Sequence, residues 1–190
     1  MDNLPTASPD GKYLAWFAMK RPGYEADRQV LMVRDLASGQ VRALTESWDR
    51  SVGSIAWSTD SKTIYVTAED TQEVPIFAID LKSGKPTRLT QEGSVSAVVP
   101  TAKGLVYAMN SLTAPDDFYW LAGKKSARLT SVNADKFAGI DMIFGVMWRW
   151  SPSSQYSLPP GARYFDTMHV IPLVVSQSQI SVPSRVMNTF

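Results

Sequence analysis

The chain has 190 residues, 44% of them hydrophobic and 11% aromatic, with 19 basic against 18 acidic side chains. That apolar share excludes a wholly disordered chain, and a net charge of +1 gives no electrostatic case for nucleic acid or an anionic membrane surface as partner. The lack of cysteine excludes disulfide scaffolds, thiolate zinc sites and cysteine nucleophiles, and one histidine, His169, cannot build a multi-histidine metal centre.

The first twenty residues start with an acid and a proline, not with a basic segment and an apolar core, so no targeting peptide is read. No apolar run approaches the ~18 residues that span a bilayer. A cytoplasmic chain is therefore expected, with no metal and no cofactor.

Self-similarity organises the first 133 residues. The first unit runs Ser8-Pro9-Asp10-Gly11-Lys12, then Tyr13 to Ala18, Val30 to Val33, Asp35-Leu36-Ala37-Ser38-Gly39 and Leu44-Thr45. The second runs Ser58-Thr59-Asp60-Ser61-Lys62, Thr63 to Thr67, Ile76 to Ile79, Asp80-Leu81-Lys82-Ser83-Gly84 and Arg88-Leu89-Thr90. A worn third copy has Thr101-Ala102-Lys103-Gly104, Leu105 to Met109, Phe118 to Leu121 and Arg128-Leu129-Thr130. In the Pro-Asp-Gly turn proline presets φ, aspartate caps the turn and glycine accepts positive φ, and the segment after it is rich in β-branched and aromatic residues, as a buried strand is. Leu-Thr marks recurring every 40–45 residues match a four-stranded propeller blade. Trp16, Tyr65 and Tyr107 read as core residues at equivalent strand positions, and Asp116-Asp117 after Pro115 reads as a turn.

The fold class is all-β: an incomplete β-propeller of about three four-stranded WD40-like or TolB-like blades. Its limits are read as residues 1–140, with 141–190 as an irregular tail, disordered or out of frame. The tail argument is compositional. Of 37 charged residues, 33 lie at or before Met142; the rest of the chain has no lysine or glutamate but eight serines and five prolines. Only residues 170–175 there read as a strand. Blades bury their faces against neighbours, so the first and last blades are expected to present open apolar faces, through which the chain could self-associate.

Residues 5–133 resemble the propeller of prolyl-oligopeptidase-family (S9) serine peptidases, nearest the dipeptidyl aminopeptidase and acylaminoacyl-peptidase branch. The resemblance rests on the Ser8–Lys12 turn, on Met19-Lys20-Arg21-Pro22-Gly23-Tyr24-Glu25-Ala26-Asp27-Arg28, on Leu44-Thr45 followed by Trp48-Asp49-Arg50-Ser51-Val52 and Trp57-Ser58, and on Arg128-Leu129-Thr130-Ser131-Val132-Asn133. In that family the propeller caps an α/β-hydrolase domain with a Ser-Asp-His triad and filters peptide substrates by size. The resemblance thus implies a fragment of a substrate-gating propeller, with a TolB-like protein-interaction module as the alternative.

No catalytic residue is assigned. The nucleophile elbow Gly-x-Ser-x-Gly is absent: Gly93-Ser94-Val95-Ser96-Ala97 ends in alanine and reads as strand, and His169 has Asp166 before it but no elbow upstream. In the 19–28 insertion, Glu25, Asp27 and Arg28 are candidate substrate-binding residues, the acids holding a peptide amino terminus. The competing reading is local ion pairing on the surface.

Overall fold

Alternating apolar residues in each unit form strands that turn one set of side chains to each face of a sheet. In the computed structural model, residues 2–24, 26–138, 140–143 and 173–176 are described, and they divide into two compact units, Met1–Val132 and Asn133–Phe190.

The first unit is three antiparallel four-stranded meanders. Blade 1 comprises β1 (Asp2–Ala7), β2 (Tyr13–Ala18), β3 (Val30–Asp35) and β4 (Val41–Ala43). Blade 2 comprises β5 (Ala56–Trp57), β6 (Thr63–Thr67), β7 (Ile76–Asp80) and β8 (Pro86–Arg88). Blade 3 comprises β9 (Ser94–Thr101), β10 (Gly104–Ser111), β11 (Ala114–Ala122) and β12 (Lys125–Arg128). The expected blades are present, and β1 supplies the strand that precedes the first turn.

The repeated motifs have a shared hydrogen-bond logic. Ser8 Oγ donates to Asp10 Oδ1 at 2.6 Å and accepts from the Tyr13 amide at 2.9 Å. Ser58 does the same with Asp60 at 2.7 Å and the Thr63 amide at 2.9 Å. These bonds close the first hairpin of blades 1 and 2 with side-chain oxygens replacing missing backbone partners. Gly11 sits at φ 70 and Ser61 takes the equivalent place at φ 59. Ser61 is nearly buried, and its Oγ accepts the Asp10 amide from blade 1 at 3.1 Å, so a cross-blade bond accompanies the strained backbone.

The Leu-Thr marks explain themselves likewise. Thr45, Thr90 and Thr130 each accept, through Oγ1, the amide of the third strand of their own blade: Leu31, Ile76 and Phe118, all at 2.9 Å. The threonine follows the fourth strand and clasps it to the third where ladder bonds have run out.

Alternation then builds two cores. Ala15, Phe17, Leu31 and Val33 of blade 1 pack with Ile64, Val66, Phe77 and Ile79 of blade 2. The opposite face of blade 2, with Ile76 and Tyr65, meets Val95, Leu105, Tyr107 and Leu121 of blade 3. Trp57 spans the first junction, its indole N–H donating to the Thr6 carbonyl at 3.1 Å. Gly84, at φ 69, lies so close to the Leu44 carbonyl that a Cβ there would collide with it.

Register corrects one detail of the sequence reading. The two Ser-x-Asp turns align Tyr13 with Thr63 through the same bond, so Trp16 corresponds to Val66, and Tyr65 to Ala15. Tyr65 and Tyr107 join the second cluster, whereas Trp16 is half-buried outside both. A one-residue offset puts a strand residue on the opposite face.

In the second unit, α1 (Ala134–Phe137) precedes β13 (Ile140–Ile143), which pairs antiparallel with β14 (Leu173–Ser176). The strand read at 170–175 corresponds to β14. The remainder of the 141–190 tail, with Asp166 and His169, lies outside the described residues. Among the described residues no helix is long and apolar enough to cross a membrane.

Two substitutions probe this account by urea unfolding. Ile64→Ala, at a fully buried position between blades, is expected to destabilise by about 2–5 kcal/mol. Leu112→Ala, at a residue 69% exposed, should change stability by less than about 0.5 kcal/mol.

Candidate functional site

In an antiparallel meander, the loop between the second and third strands and the link leaving the fourth strand emerge at the same end. The insertion at 19–29, the link at 45–55, the hairpin tip at 70–73 and the link at 89–93 thus form one surface. It contains the sequence-predicted substrate residues, among them Asp27 and Arg28; Glu25 lies outside the described residues.

Asp27 is bound by Arg21. The Arg21 amide donates to Oδ2 at 2.8 Å and Arg21 Nε donates to both carboxylate oxygens at 3.1 and 3.0 Å. The same guanidinium lies 3.6 Å from the centroid of the Tyr24 ring, a cation–π arrangement. Arg21 holds the Asp27 carboxyl below the usual carboxylate range. Arg28 donates to the Glu46 carbonyl at 2.8 Å and to the Trp48 carbonyl. Beside it the Gln29 amide donates to Ser51 Oγ and the Val52 amide to the Gln29 carbonyl, both at 3.1 Å. The insertion is thereby fastened to the link leading into blade 2.

The neighbouring hairpin turns through Thr71 (φ 53) and Gln72 (φ 70), a backbone that β-branched residues resist. Asp70 anchors it: Arg50 donates to Oδ1 at 3.0 Å and Arg88 to Oδ2 at 2.7 Å. These bonds lower the Asp70 carboxyl, Arg50 most strongly. A surface hollow of about 480 Å³ opens here, lined by Arg50 and residues 69–74. Arg88 also donates to the Thr90 and Gln91 carbonyls at 2.9 and 2.7 Å.

Blade 3 repeats the device. Asp117 accepts from the Val132 amide at 3.0 Å, from Thr130 Oγ1 at 2.7 Å and from Arg128, while Arg128 Nε donates to the Thr130 carbonyl at 2.8 Å. Asp116 and Asp117 lie within β11, not in a turn. The β10–β11 ladder shifts register between Met109 and Ser111, an irregularity that takes up Pro115 and Asp116 before pairing resumes at Asp117, and burial of Asp117 is compensated by three donors.

Sequence reasoning missed the arginine–aspartate pairs Arg88–Asp70 and Arg128–Asp117. The signal was the arginine two places before each threonine in Arg88-Leu89-Thr90 and Arg128-Leu129-Thr130; the partner acids occupy different strand positions and could not be read from spacing. Ser94, in the string without an elbow, lies at the start of β9. Among the described residues no cluster of His, Asp or Glu suits a metal ion. What the surface offers chemically is an array of guanidinium and carboxylate groups paired with one another and with backbone carbonyls.

No family model matches the chain. It is 36% identical over 143 residues to dipeptidyl-peptidase 5 of Porphyromonas gingivalis, an alignment covering 75% of this chain and 21% of that protein. Among solved structures, acylaminoacyl peptidase of Pyrococcus horikoshii superposes with a TM-score of 0.58 at 17% identity, over 70% of this chain and 20% of that one. The β-propeller domain of the trilobed protease of Pyrococcus furiosus gives 0.54 at 18%, over 68% and 38%. TolB of Acinetobacter baumannii gives 0.52 at 20%, over 70% and 33%. The fold is that of a β-propeller arc. Taken with the dipeptidyl-peptidase 5 similarity, it makes the chain a propeller part of a prolyl-oligopeptidase-family (S9) serine peptidase. The chain spans about a fifth of the length of that curated relative.

Asp117 provides a pH test. Its carboxyl is lowered, first by the Val132 amide and then by Arg128 and Thr130. A lowered folded-state value means that the bonds contribute fully above the unfolded carboxylate value of about 3.9 and are lost as pH falls through the folded one. Melting temperature is expected to drop below about pH 4. Asp117→Asn should melt lower than the parent at neutral pH, and the gap should narrow in acid.

Proposed function

We propose that the three blades form part of the wall through which peptide substrates reach the active site of a prolyl-oligopeptidase-family peptidase, screening them and taking no part in bond cleavage. The observation that carries this reading is the 36% identity to a dipeptidyl-peptidase over 143 residues, borne on a propeller arc. In this reading Glu25, Asp27 and Arg28 belong to the surface that meets the peptide. Asp27 acts by holding Arg21 in place over Tyr24, and Arg28 by tying the insertion to the link at Glu46 and Trp48. The exposed Tyr24 ring, with the guanidinium lying over it, is then the group offered to a peptide chain.

The 190-residue chain, mixed with dipeptidyl and acylaminoacyl chromogenic substrates, is expected to release no chromophore above background. Turnover abolished by a serine-directed inhibitor would overturn the non-catalytic assignment. Grafting residues 2–132 in place of the matching segment of the Porphyromonas gingivalis relative tests the screening role. The graft should keep cleaving dipeptidyl substrates, and Asp27→Ala within it should alter the ratio of long to short peptides cleaved; an unchanged ratio contradicts the role given to the insertion.

The TolB-like fold favours a second reading, a module that binds another protein. A defined complex in pull-down, with no effect of the graft on peptide selection, would support it over the first.

A further inference from the structure

Lysine and glutamate occupy opposite ends of the blades. The turn after the first strand of each blade and the turn after its third emerge together, away from the end that holds the 19–29 insertion. This turn end carries Lys12 in blade 1, Lys62, Lys82 and Lys85 in blade 2, and Lys103, Lys124 and Lys125 in blade 3, all seven exposed. Among the described residues it has no glutamate; Glu46, Glu69, Glu73 and Glu92 all belong to the loops and links of the other end. Blade 2, packed on both faces, has this polarity by itself, with three of the lysines at one end and Glu69 and Glu73 at the other.

Hydrogen bonding sharpens the contrast. The turn end holds four aspartates, each committed to its own turn. Asp10 and Asp60 accept the Lys12 and Lys62 amides at 3.1 Å, Asp35 the Ser38 amide at 2.9 Å and Asp80 the Ser83 amide at 2.7 Å. Lys12 lies 3.8 Å from Asp10, and the other six lysines make no ion pair among the described residues. At the loop end the reverse holds. Arg21, Arg50 and Arg88 are paired with Asp27 and Asp70, and Arg28 with carbonyls, while the four glutamates make no ion pair among the described residues. The strands of blade 3 are eight or nine residues long, which sets the two ends about 25 Å apart. That exceeds the Debye length of about 8 Å at physiological salt, so each end presents its own sign.

We propose that the lysine-bearing turn end receives the carboxyl terminus or acidic residues of a peptide, so that peptides lie along these blades in one direction. This rests on the reading of the blades as a peptide-screening wall and adds a direction to it. The ammonium groups stand on flexible stems spread over six turns, an array that attracts an extended anionic chain rather than a pocket fitted to one group.

Paramagnetic broadening of amide resonances in the 190-residue chain tests this at low salt. The probe is a glycine–serine peptide of about 12 residues, long enough at ~40 Å to span both ends, with a run of glutamates at its carboxyl end. A nitroxide on the glutamate run is expected to broaden Gly11, Gly84 and Gly123 at the turn end. A nitroxide on the amino end should broaden Gly53 and Gly93 instead. Salt near 1 M, where the Debye length is about 3 Å, should abolish both patterns. Combining Lys82→Gln, Lys85→Gln, Lys124→Gln and Lys125→Gln should weaken binding at least about fourfold, with circular dichroism unchanged. Lys82→Gln with Lys85→Gln serves if the combined variant does not fold, and should weaken binding about twofold. Glu69→Gln with Glu92→Gln should leave binding of this probe unchanged. Broadening of Gly53 and Gly93 by the label on the glutamate run, or binding indifferent to the lysine changes, overturns the proposal. An oligonucleotide of equal charge that binds more tightly than the peptide overturns the assignment to peptides. The long-to-short ratio of the graft is a separate readout. An unchanged ratio with direction intact removes the screening role alone, and lost direction with a changed ratio removes this proposal alone.

Discussion

A four-stranded sheet that is apolar on both faces is stable only between two neighbours, and blade 2 is such a sheet. Its alternation sends Ile64, Val66 and Ile79 to one side and Tyr65 and Ile76 to the other. Dispersion and the removal of apolar surface from water act at both sides at once. Blades 1 and 3 are held in place by that double demand. The close passage of Gly84 by Leu44 and the indole bond from Trp57 to Thr6 are what such an approach of sheets requires locally. On blade 3, Phe118 and Val99 belong to the face turned away from its core with blade 2 and are 50% and 58% exposed.

Short strands pressed face to face run out of ladder partners at their ends, and side chains supply the missing bonds. Serine and aspartate close the first hairpin of blades 1 and 2; threonine clasps the third strand to the segment after the fourth in all three. At the loop end the charges do the corresponding work. Arg50 and Arg88 meet at Asp70, and Arg128 with Thr130 and the Val132 amide meets at Asp117. Buried or half-buried carboxylates held by several donors favour their charged form, so this end is a preformed charged surface rather than a set of loose loops.

The legible part of the fold was the part encoded locally. Ser-x-Asp, Asp-Leu-x-Ser-Gly and Leu-Thr are turn and clasp signals acting over a few residues or within one hairpin, and they located the blades. At the loop end, the insertion at 19–28 was visible because it interrupts the repeat. Its Asp27 and Arg28 were nameable; that they bind Arg21 and the carbonyls of Glu46 and Trp48 was not. Asp117 was misread as part of a turn because Pro115 and a pair of acids signal one, whereas its donors come from eleven to fifteen residues further along the chain.

By itself, then, the sequence determined the repeating blade, its turn chemistry and its kinship, since each depends on residue type and short spacing. Only the tertiary structure decided which face each residue serves. Trp16 and Tyr65 look alike in sequence, yet one offset of register sends them to opposite sides, Tyr65 against a core and Trp16, half-buried, outside both cores. The tertiary structure likewise decided that Arg88 answers Asp70 and Arg128 answers Asp117. The reason is physical: turns and strands are specified by neighbours along the chain, but burial and charge pairing are specified by neighbours in space, which exist only once the strands have paired and the blades have stacked.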